Sequence, residues 1–223
     1  MKLMKSVVGM IALILAQTVL AREQEIQNGF NPELYLMPFS SYTRFGRSLA
    51  QMYQPELVSM VLAIKNEIKS GRFELMDLNH SPKGGAGFWT NPAVFSPHLR
   101  YLGVIARVNI RLPYFPDSTP GRMTDALDAF GKDLFRIMGN TLDKIPDSSI
   151  KGIVLIIIYS KAELNDPKFY EQAEALVVFI SRDDLKKYNS FRISLQKLFD
   201  RSDYYYFYGQ EQINILLNEF IRG

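Results

Sequence analysis

The fold is decided by one stretch, residues 100–112, which reads RYLGVIARVNIRL. From residue 102 onward every second side chain is apolar, and a period of two is typical of a β-strand with one buried face. Arg107, Asn109 and Arg111 fall on the opposite face. The pattern therefore predicts a long strand that is dry on one side and polar on the other.

Three further strands are predicted downstream. Ile153–Ile158 is a run of six aliphatic residues, mostly β-branched, which is typical of a central strand covered on both faces. Ala175–Ile180 is another apolar strand, and Tyr204–Tyr208 is a strand of five aromatic residues. Apolar residues at helical spacing predict helices between these strands, over about 124–139 and 190–199.

In chain order these elements read strand, helix, strand, strand, helix, strand. This is the order of the split βαβ fold, the ferredoxin-like βαββαβ arrangement, in which two helices cover one face of a four-stranded antiparallel sheet. A right-handed crossover from the first strand would leave a slot that the last strand fills. The predicted fold class is therefore α+β, with one additional helix before this core, near residues 55–70, and another after it, near residues 211–221.

Residues 1–21 have the pattern of a signal peptide. Two lysines precede an apolar stretch, and small residues precede a cleavage point between Ala21 and Arg22. The apolar run is too short, and too soon followed by charges, to be a stable membrane span. We expect an N-terminal arm at residues 22–53 that packs on the domain, and a single α+β domain at residues 54–223 with its core at 100–208.

The composition indicates the cellular compartment of the protein and excludes some classes of partner. The chain contains no cysteine, which excludes disulfides, thiol nucleophiles and cysteine-based zinc sites. Exported eukaryotic proteins of this size usually carry disulfides, so the absence favours the periplasm of a bacterium. Removal of residues 1–21 takes away two lysines and lowers the net charge from +3 to +1. A near-neutral chain without polybasic clusters is not expected to bind nucleic acid, or anionic lipid as its main partner.

The predicted binding residues are aromatic and basic. Tyr204, Tyr206 and Tyr208 alternate along the last strand, so their rings point to one face of the sheet. If Arg107 and Arg111 lie on the same face, the five side chains form a stacking platform with hydrogen-bond donors, suited to a glycan or a peptide. The alternative is that the chain's own arm or C-terminal helix covers this face.

Residues 79–98 are rich in proline and glycine and are predicted to form a long irregular loop, which is usually functional or mobile. Trp89, the only tryptophan, follows three glycines there and is the sixth predicted binding residue, although its ring either enters the core or stays available to a ligand. His80 and His98, the only histidines, lie in the same loop, and Asp77 is spaced to orient His80. This set supports the alternative hypothesis of an envelope hydrolase or a metal-dependent enzyme.

The leading hypothesis from the sequence is an exported, non-enzymatic binding protein of the bacterial periplasm. It requires no catalytic residue, metal or cofactor, and its partner is another envelope protein or a cell-wall glycan polymer. A self-assembling structural protein is a third hypothesis. The sequence leaves open the identity of the ligand, the oligomeric state and whether the Tyr204–Tyr208 strand is exposed.

Overall fold

The computed structural model describes residues 30–94, 96, 98–110 and 118–223. The predicted signal peptide, residues 1–21, lies outside the described residues, as does Arg111. The chain divides into two units, residues 1–33 and residues 34–223, and the fold below is that of the second. No helix within the described ranges is both long enough and apolar enough to cross a membrane.

Helices and strands are mixed along the chain, so the predicted α+β class is confirmed. The helices are α1 (Arg44–Met52), α2 (Gln54–Glu67), α3 (Thr119–Leu142), α4 (Arg182–Asn189), α5 (Leu195–Phe199) and α6 (Gly209–Ile215). The strands are β1 (Phe73–Leu75), β2 (Ala86–Trp89), β3 (Arg100–Asn109), β4 (Ile150–Ser160), β5 (Glu174–Ser181) and β6 (Asp203–Tyr208). Short 3₁₀ turns lie at Pro32–Tyr35 and Phe39–Ser41, and a π-helical turn, Leu216–Phe220, continues α6.

The centre of the sheet is the parallel pair β3–β4, with α3 as the crossover between the two strands. The pair is in continuous register from Leu102 opposite Ile153 to Asn109 opposite Ser160. Every residue of β4 except Lys151 is buried, as expected for a strand that is covered on both faces of the sheet. The central position predicted for Ile153–Ile158 is therefore confirmed.

The strand order across the sheet is β1–β3–β4–β5–β6, and β2 pairs with the same side of β3 as β1 does. The split βαββαβ topology is not confirmed, because β3 and β4 are direct neighbours and β6 lies beyond β5. In the split arrangement the strand equivalent to β4 would lie at an edge, with one row of backbone groups unpaired. A central position pairs both rows, with β3 on one side and β5 on the other.

One face of the sheet, which we call the helix face, lies under α3. Residues that pair across neighbouring strands share a face, and this face carries Leu102, Leu155 and Val178. The ring of Phe130 in α3 lies 5.2 Å from the ring of Phe73, which belongs to the same face. α3 covers β3 and β4 on this face, and α4, which packs against α3, contacts β4 and β5. The two helices together keep these apolar side chains from water.

The opposite face, which we call the arm face, is covered by the two ends of the unit. It carries Ile156 and Val177, which line one small apolar cavity together with Phe220 and Ile221 of the C-terminal segment. All four side chains except Phe220 are buried. The sheet is therefore the middle of three layers in this unit, with helices on one side and, on the other, the C-terminal segment and residues 34–43, which we call the arm from here on.

Trp89 anchors the arm to the sheet. Its ring lies over Gly103 of β3 and is 1% exposed. Its indole N–H donates a hydrogen bond to the sulfur of Met37 in the arm, at 3.0 Å. Next to it, the backbone N–H of Phe88 donates to the hydroxyl of Tyr42, at 3.1 Å. Of the two roles predicted for Trp89, the structure thus places the ring in the core.

Four parts of the sequence prediction differ from the structure. The helix expected over about 190–199 is replaced by α4, which ends at Asn189, a turn, and the short helix α5 (Leu195–Phe199). α1 was not expected, and it begins where the Thr43 side chain accepts a hydrogen bond from the backbone N–H of Gly46, at 3.3 Å. α3 begins at Thr119 with Ser118 as its N-cap, not at residue 124, because Pro120 fits the first turn of a helix. β2 lies inside the predicted irregular loop 79–98, where its glycine allows the arm to approach closely.

We expect Gly103→Ala to lower the free energy of unfolding by about 1–3 kcal/mol, because a methyl group at this position would overlap the buried ring of Trp89. Gly71→Ala is the matched control, since a methyl group there meets nothing within 4 Å. We expect this control to change stability by less than about 0.5 kcal/mol. Urea unfolding of both variants tests the prediction, and equal stabilities would contradict it.

Candidate functional site

The predicted stacking platform is not assembled as expected. Arg107 pairs with Ile158, which pairs with Ala175, which pairs with Phe207, so Arg107 lies on the arm face. Tyr204, Tyr206 and Tyr208 occupy the alternate positions of β6 and lie on the helix face. The sheet therefore separates Arg107 from the three tyrosines, and Arg111 lies outside the described residues.

Arg107 is held inside the protein. Its guanidinium makes an ion pair with Glu74 of β1, with its Nε 3.0 Å from the carboxylate. The same group lies 5.5 Å from the ring centre of Phe169 and 5.8 Å from that of Tyr170. Only 6% of the Arg107 side chain is exposed. With its charge compensated by Glu74 and two aromatic rings beside its guanidinium, this arginine stabilises the arm face.

Tyr206 contributes to a second charged cluster, on the helix face. Arg122 of α3 makes a bidentate ion pair with Glu174 of β5, with Nε 2.8 Å and Nη2 2.7 Å from Oε1. The exposed fractions of the two side chains are 14% and 4%. The hydroxyl of Tyr206 lies within hydrogen-bonding reach of both. The cluster joins the start of α3 to the strands and is structural in character.

The pKa values of Arg122, Tyr159 and Tyr206 are all raised in this cluster. The hydrogen bonds to Glu174 raise the pKa of Arg122, so the guanidinium stays charged. Burial, followed by the Glu174 carboxylate, raises the pKa of Tyr159. Burial also raises the pKa of Tyr206, against the opposing effect of Arg122. Both phenols therefore stay neutral well above physiological pH, and neither offers a phenolate for catalysis.

Tyr204 and Tyr208 are the exposed members of the predicted set. Their exposed fractions are 57% and 55%, high values for residues of a β-strand. The two rings stand four residues apart on one face, with Tyr206 between them. Tyrosine rings in this setting combine a large apolar surface with a hydroxyl group, as is common in protein interfaces.

The backbone of β6 is open on its outer side. Hydrogen-bonded and non-hydrogen-bonded residue pairs alternate along an antiparallel pair of strands. The N–H of Gly209 donates to the carbonyl of Ala173, at 2.9 Å, so Tyr204, Tyr206 and Tyr208 direct their backbone groups away from β5. The side chain of Gln212 accepts from the N–H of Tyr208, at 2.8 Å. No described strand pairs with the outward groups of Tyr204 and Tyr206.

We call this surface the β6 edge: the outward backbone groups of Tyr204 and Tyr206 with the exposed rings of Tyr204 and Tyr208. Edge strands in monomeric proteins are usually protected by charges, proline, bulges or a covering segment. The six residues of β6 include one charge, Asp203, and no proline. The β6 edge is therefore the candidate functional site of the described chain.

A groove of about 560 Å³ opens beside the start of β6. It is lined by Thr90, Asn91, Pro92, Val94, Ser96, Glu219, Phe220 and Arg222. The amide of Asn91 is already engaged, because it donates to Asp203 at 2.8 Å and accepts from Tyr205 at 3.3 Å. Since small-molecule sites need several convergent polar groups, the groove is a weaker candidate than the β6 edge.

The residues of the enzyme hypothesis are dispersed. His80 lies 2.7 Å from the carboxylate of Asp77, as its spacing suggested, whereas the ring of His98 packs edge-on against Phe45, at 5.3 Å. Burial raises the pKa of Asp77, but hydrogen bonds from His80 and Asn79 outweigh it, and the net shift is downward. The described residues contain no group of three or more acidic or histidine side chains that could hold a metal ion.

Comparison of the chain with protein-family models, with curated proteins and with solved structures finds no match. The function must therefore be argued from the chain's own residues.

We expect Glu174→Gln to lower the free energy of unfolding by about 3 kcal/mol, because it leaves the charge of Arg122 buried without a carboxylate. The double variant Arg122→Met/Glu174→Leu should recover part of this loss, since a well-packed apolar pair often replaces a buried ion pair. Urea unfolding of the single and double variants measures both effects. A single variant as stable as the wild type would contradict the prediction.

Proposed function

We propose that this protein is an exported, non-enzymatic binding protein of the bacterial periplasm, and that it captures another envelope protein at the β6 edge. The proposal joins two features. The sequence begins with a signal-peptide pattern and lacks cysteine. The sheet ends in a strand whose outer backbone groups and two tyrosine rings are open to a partner.

The observation that carries the proposal is the outer side of β6, where no strand of the described residues pairs with the backbone groups of Tyr204 and Tyr206. An extended segment of a partner can add to such an edge as a further strand, with main-chain hydrogen bonds for affinity and side-chain contacts for specificity. The rings of Tyr204 and Tyr208 flank Tyr206 and supply those side-chain contacts. Tyrosines lose little conformational entropy when they bind, because only two side-chain torsions become fixed.

A protein partner fits the β6 edge better than a glycan polymer does. Exposed tyrosine rings alone would suit either partner. Backbone N–H and C=O groups in the regular spacing of a strand match another polypeptide backbone, whereas a glycan has no such repeat. Arg107, the cation expected beside the tyrosines, faces the other side of the sheet and is engaged by Glu74.

We expect Tyr204→Pro to abolish partner capture. The N–H of Tyr204 points away from β5, so proline at this position should block an incoming strand without removing a bond to β5. Capture is measured in bacterial cells with a photo-cross-linking phenylalanine derivative at position 208, followed by recovery of the covalent adduct. A discrete adduct that disappears with Tyr204→Pro is the expected result.

Two controls make this experiment specific. Tyr204→Phe keeps the N–H and the ring, and should keep the adduct. The same cross-linker at Ile215, which is 48% exposed on α6, should not give it. Thermal unfolding of the proline variant must show that the fold is retained, and Tyr204→Lys provides a second blocked edge. An adduct that persists in both blocked variants overturns the proposal.

Export is tested separately. When the full sequence is expressed in a bacterium, we expect the protein in the periplasmic fraction with Arg22 as its first residue, because signal peptidase cleaves after small residues such as Ala21. Ile14→Arg should keep the protein unprocessed, since it places a charge in the apolar stretch. Intact-mass measurement and N-terminal sequencing provide the readout. An unprocessed cytoplasmic wild-type chain would contradict export.

A further inference from the structure

The turn after α4 contains an aromatic residue in a conformation that suits glycine. Phe191 has a φ of 59°, in the left-handed region, and is 85% exposed. Its N–H donates to the carbonyl of Tyr188 at 2.9 Å, and the N–H of Arg192 donates to that of Lys187 at 2.8 Å. This pair of bonds is the usual glycine-containing end of a helix. Phenylalanine at this position is strained.

Phe191 contributes too little to the stability of the fold to offset that strain. At 85% exposure its ring buries little surface, and no aromatic contact in the described residues includes it. A large apolar side chain that is both strained and exposed is unfavourable for a folded, soluble chain. The residue is therefore better explained by contact with something outside the chain.

The charges around Phe191 indicate what it contacts. Residues 185–199 contain no acidic side chain but carry Lys186, Lys187, Arg192 and Lys197. The acids that flank this segment in the chain are Asp184, which binds Lys187 and Arg201, and Asp200, which accepts from Gln196. On the side of the turn that faces α3, Asp128 acts on Tyr188, and Asp143 lines a pocket together with Lys186.

Three of these cations are left available. Lys186, Arg192 and Lys197 make no ion pair with any residue in the described ranges. The negative end of the α4 dipole accounts for Lys186 and Lys187, which lie in its last turn. It does not account for Arg192, beyond the helix, or for Lys197, on α5. The charge therefore extends around the whole turn.

We propose that this turn, comprising Lys186, Phe191, Arg192 and Lys197, docks on an anionic phospholipid surface with the ring of Phe191 among the headgroups. Lysine and arginine are attracted to the surface charge, and a single aromatic ring is accommodated at the interface without a shape-matched pocket. An acidic protein would need such a pocket to bury one protruding ring. The net charge of the whole chain is near neutral and therefore does not indicate this local concentration of cations.

The test is co-sedimentation of the purified protein with vesicles of phosphatidylcholine containing 30% phosphatidylglycerol, and with phosphatidylcholine alone. We expect binding to the anionic vesicles only. Lys186→Gln/Arg192→Gln/Lys197→Gln should weaken binding about a hundredfold, since each cation near the surface contributes roughly a factor of five. Arg44→Gln/Lys69→Gln/Lys168→Gln removes the same charge, two lysines and one arginine, from exposed positions in other parts of the unit and should bind as the wild type does.

Phe191→Gly separates docking from folding. It relieves the left-handed strain, so we expect the thermal midpoint to rise by about 2–4 °C while vesicle binding falls. Loss of binding then cannot be caused by unfolding. Equal binding by the two triple variants, or undiminished binding by Phe191→Gly, overturns the proposal. Absence of vesicle binding also overturns it, and an acidic protein partner would then be the source of the charge complementarity.

Discussion

The structure depends on the need to cover β4 on both faces and pair it on both sides. Its aliphatic side chains point alternately up and down, so neither face of the sheet can be left to solvent. α3, the crossover that leads into β4, covers the helix face. No crossover helix covers the arm face. It is covered instead by the two ends of the unit, through Met37 and Tyr42 in the arm and Phe220 and Ile221 in the C-terminal segment. The three-layer arrangement follows from this one strand.

The same strand explains which part of the fold was predictable. Local periodicity correctly predicts the strands around Arg107, Ile156, Val177 and Tyr206, because side-chain pattern and burial agree there. The order of strands in the sheet was not predictable from element order alone, since the split arrangement and the observed one share the sequence strand, helix, strand, strand, helix, strand. The composition of β4 does discriminate between them, because the six-residue aliphatic run Ile153–Ile158 is unfavourable at an edge, whereas the tyrosine-rich β6 tolerates that position.

The candidate site was harder to predict from the sequence than the strands were, for a different reason. Alternation along one strand divides its residues between two faces. It does not show which residues of a second strand lie on the same face of the sheet. That assignment depends on pairing register, and a shift of one residue would place Arg107 on the same face of the sheet as Tyr206, although β4 and β5 would still separate the two strands. The open edge was harder still to foresee, since it depends on β6 pairing only with β5. The strained Phe191 had a weak local signal, namely a helix end without glycine.

The β6 edge and the Phe191 turn have one property in common. Neither contributes to covering β4, and both expose aromatic rings that a chain selected only for folding would bury or replace. Both lie after β5, on the part of the chain that follows the central pair, whereas the side chains of Arg107 and Trp89, which come before that pair ends, are buried in the core. The core therefore fixes the positions of the β6 edge and the Phe191 turn without burying the rings of Tyr204, Tyr208 and Phe191. Such a division would let the β6 edge and the Phe191 turn change while the residues that cover β4 keep the fold intact, which is why these two surfaces are the ones we propose for binding.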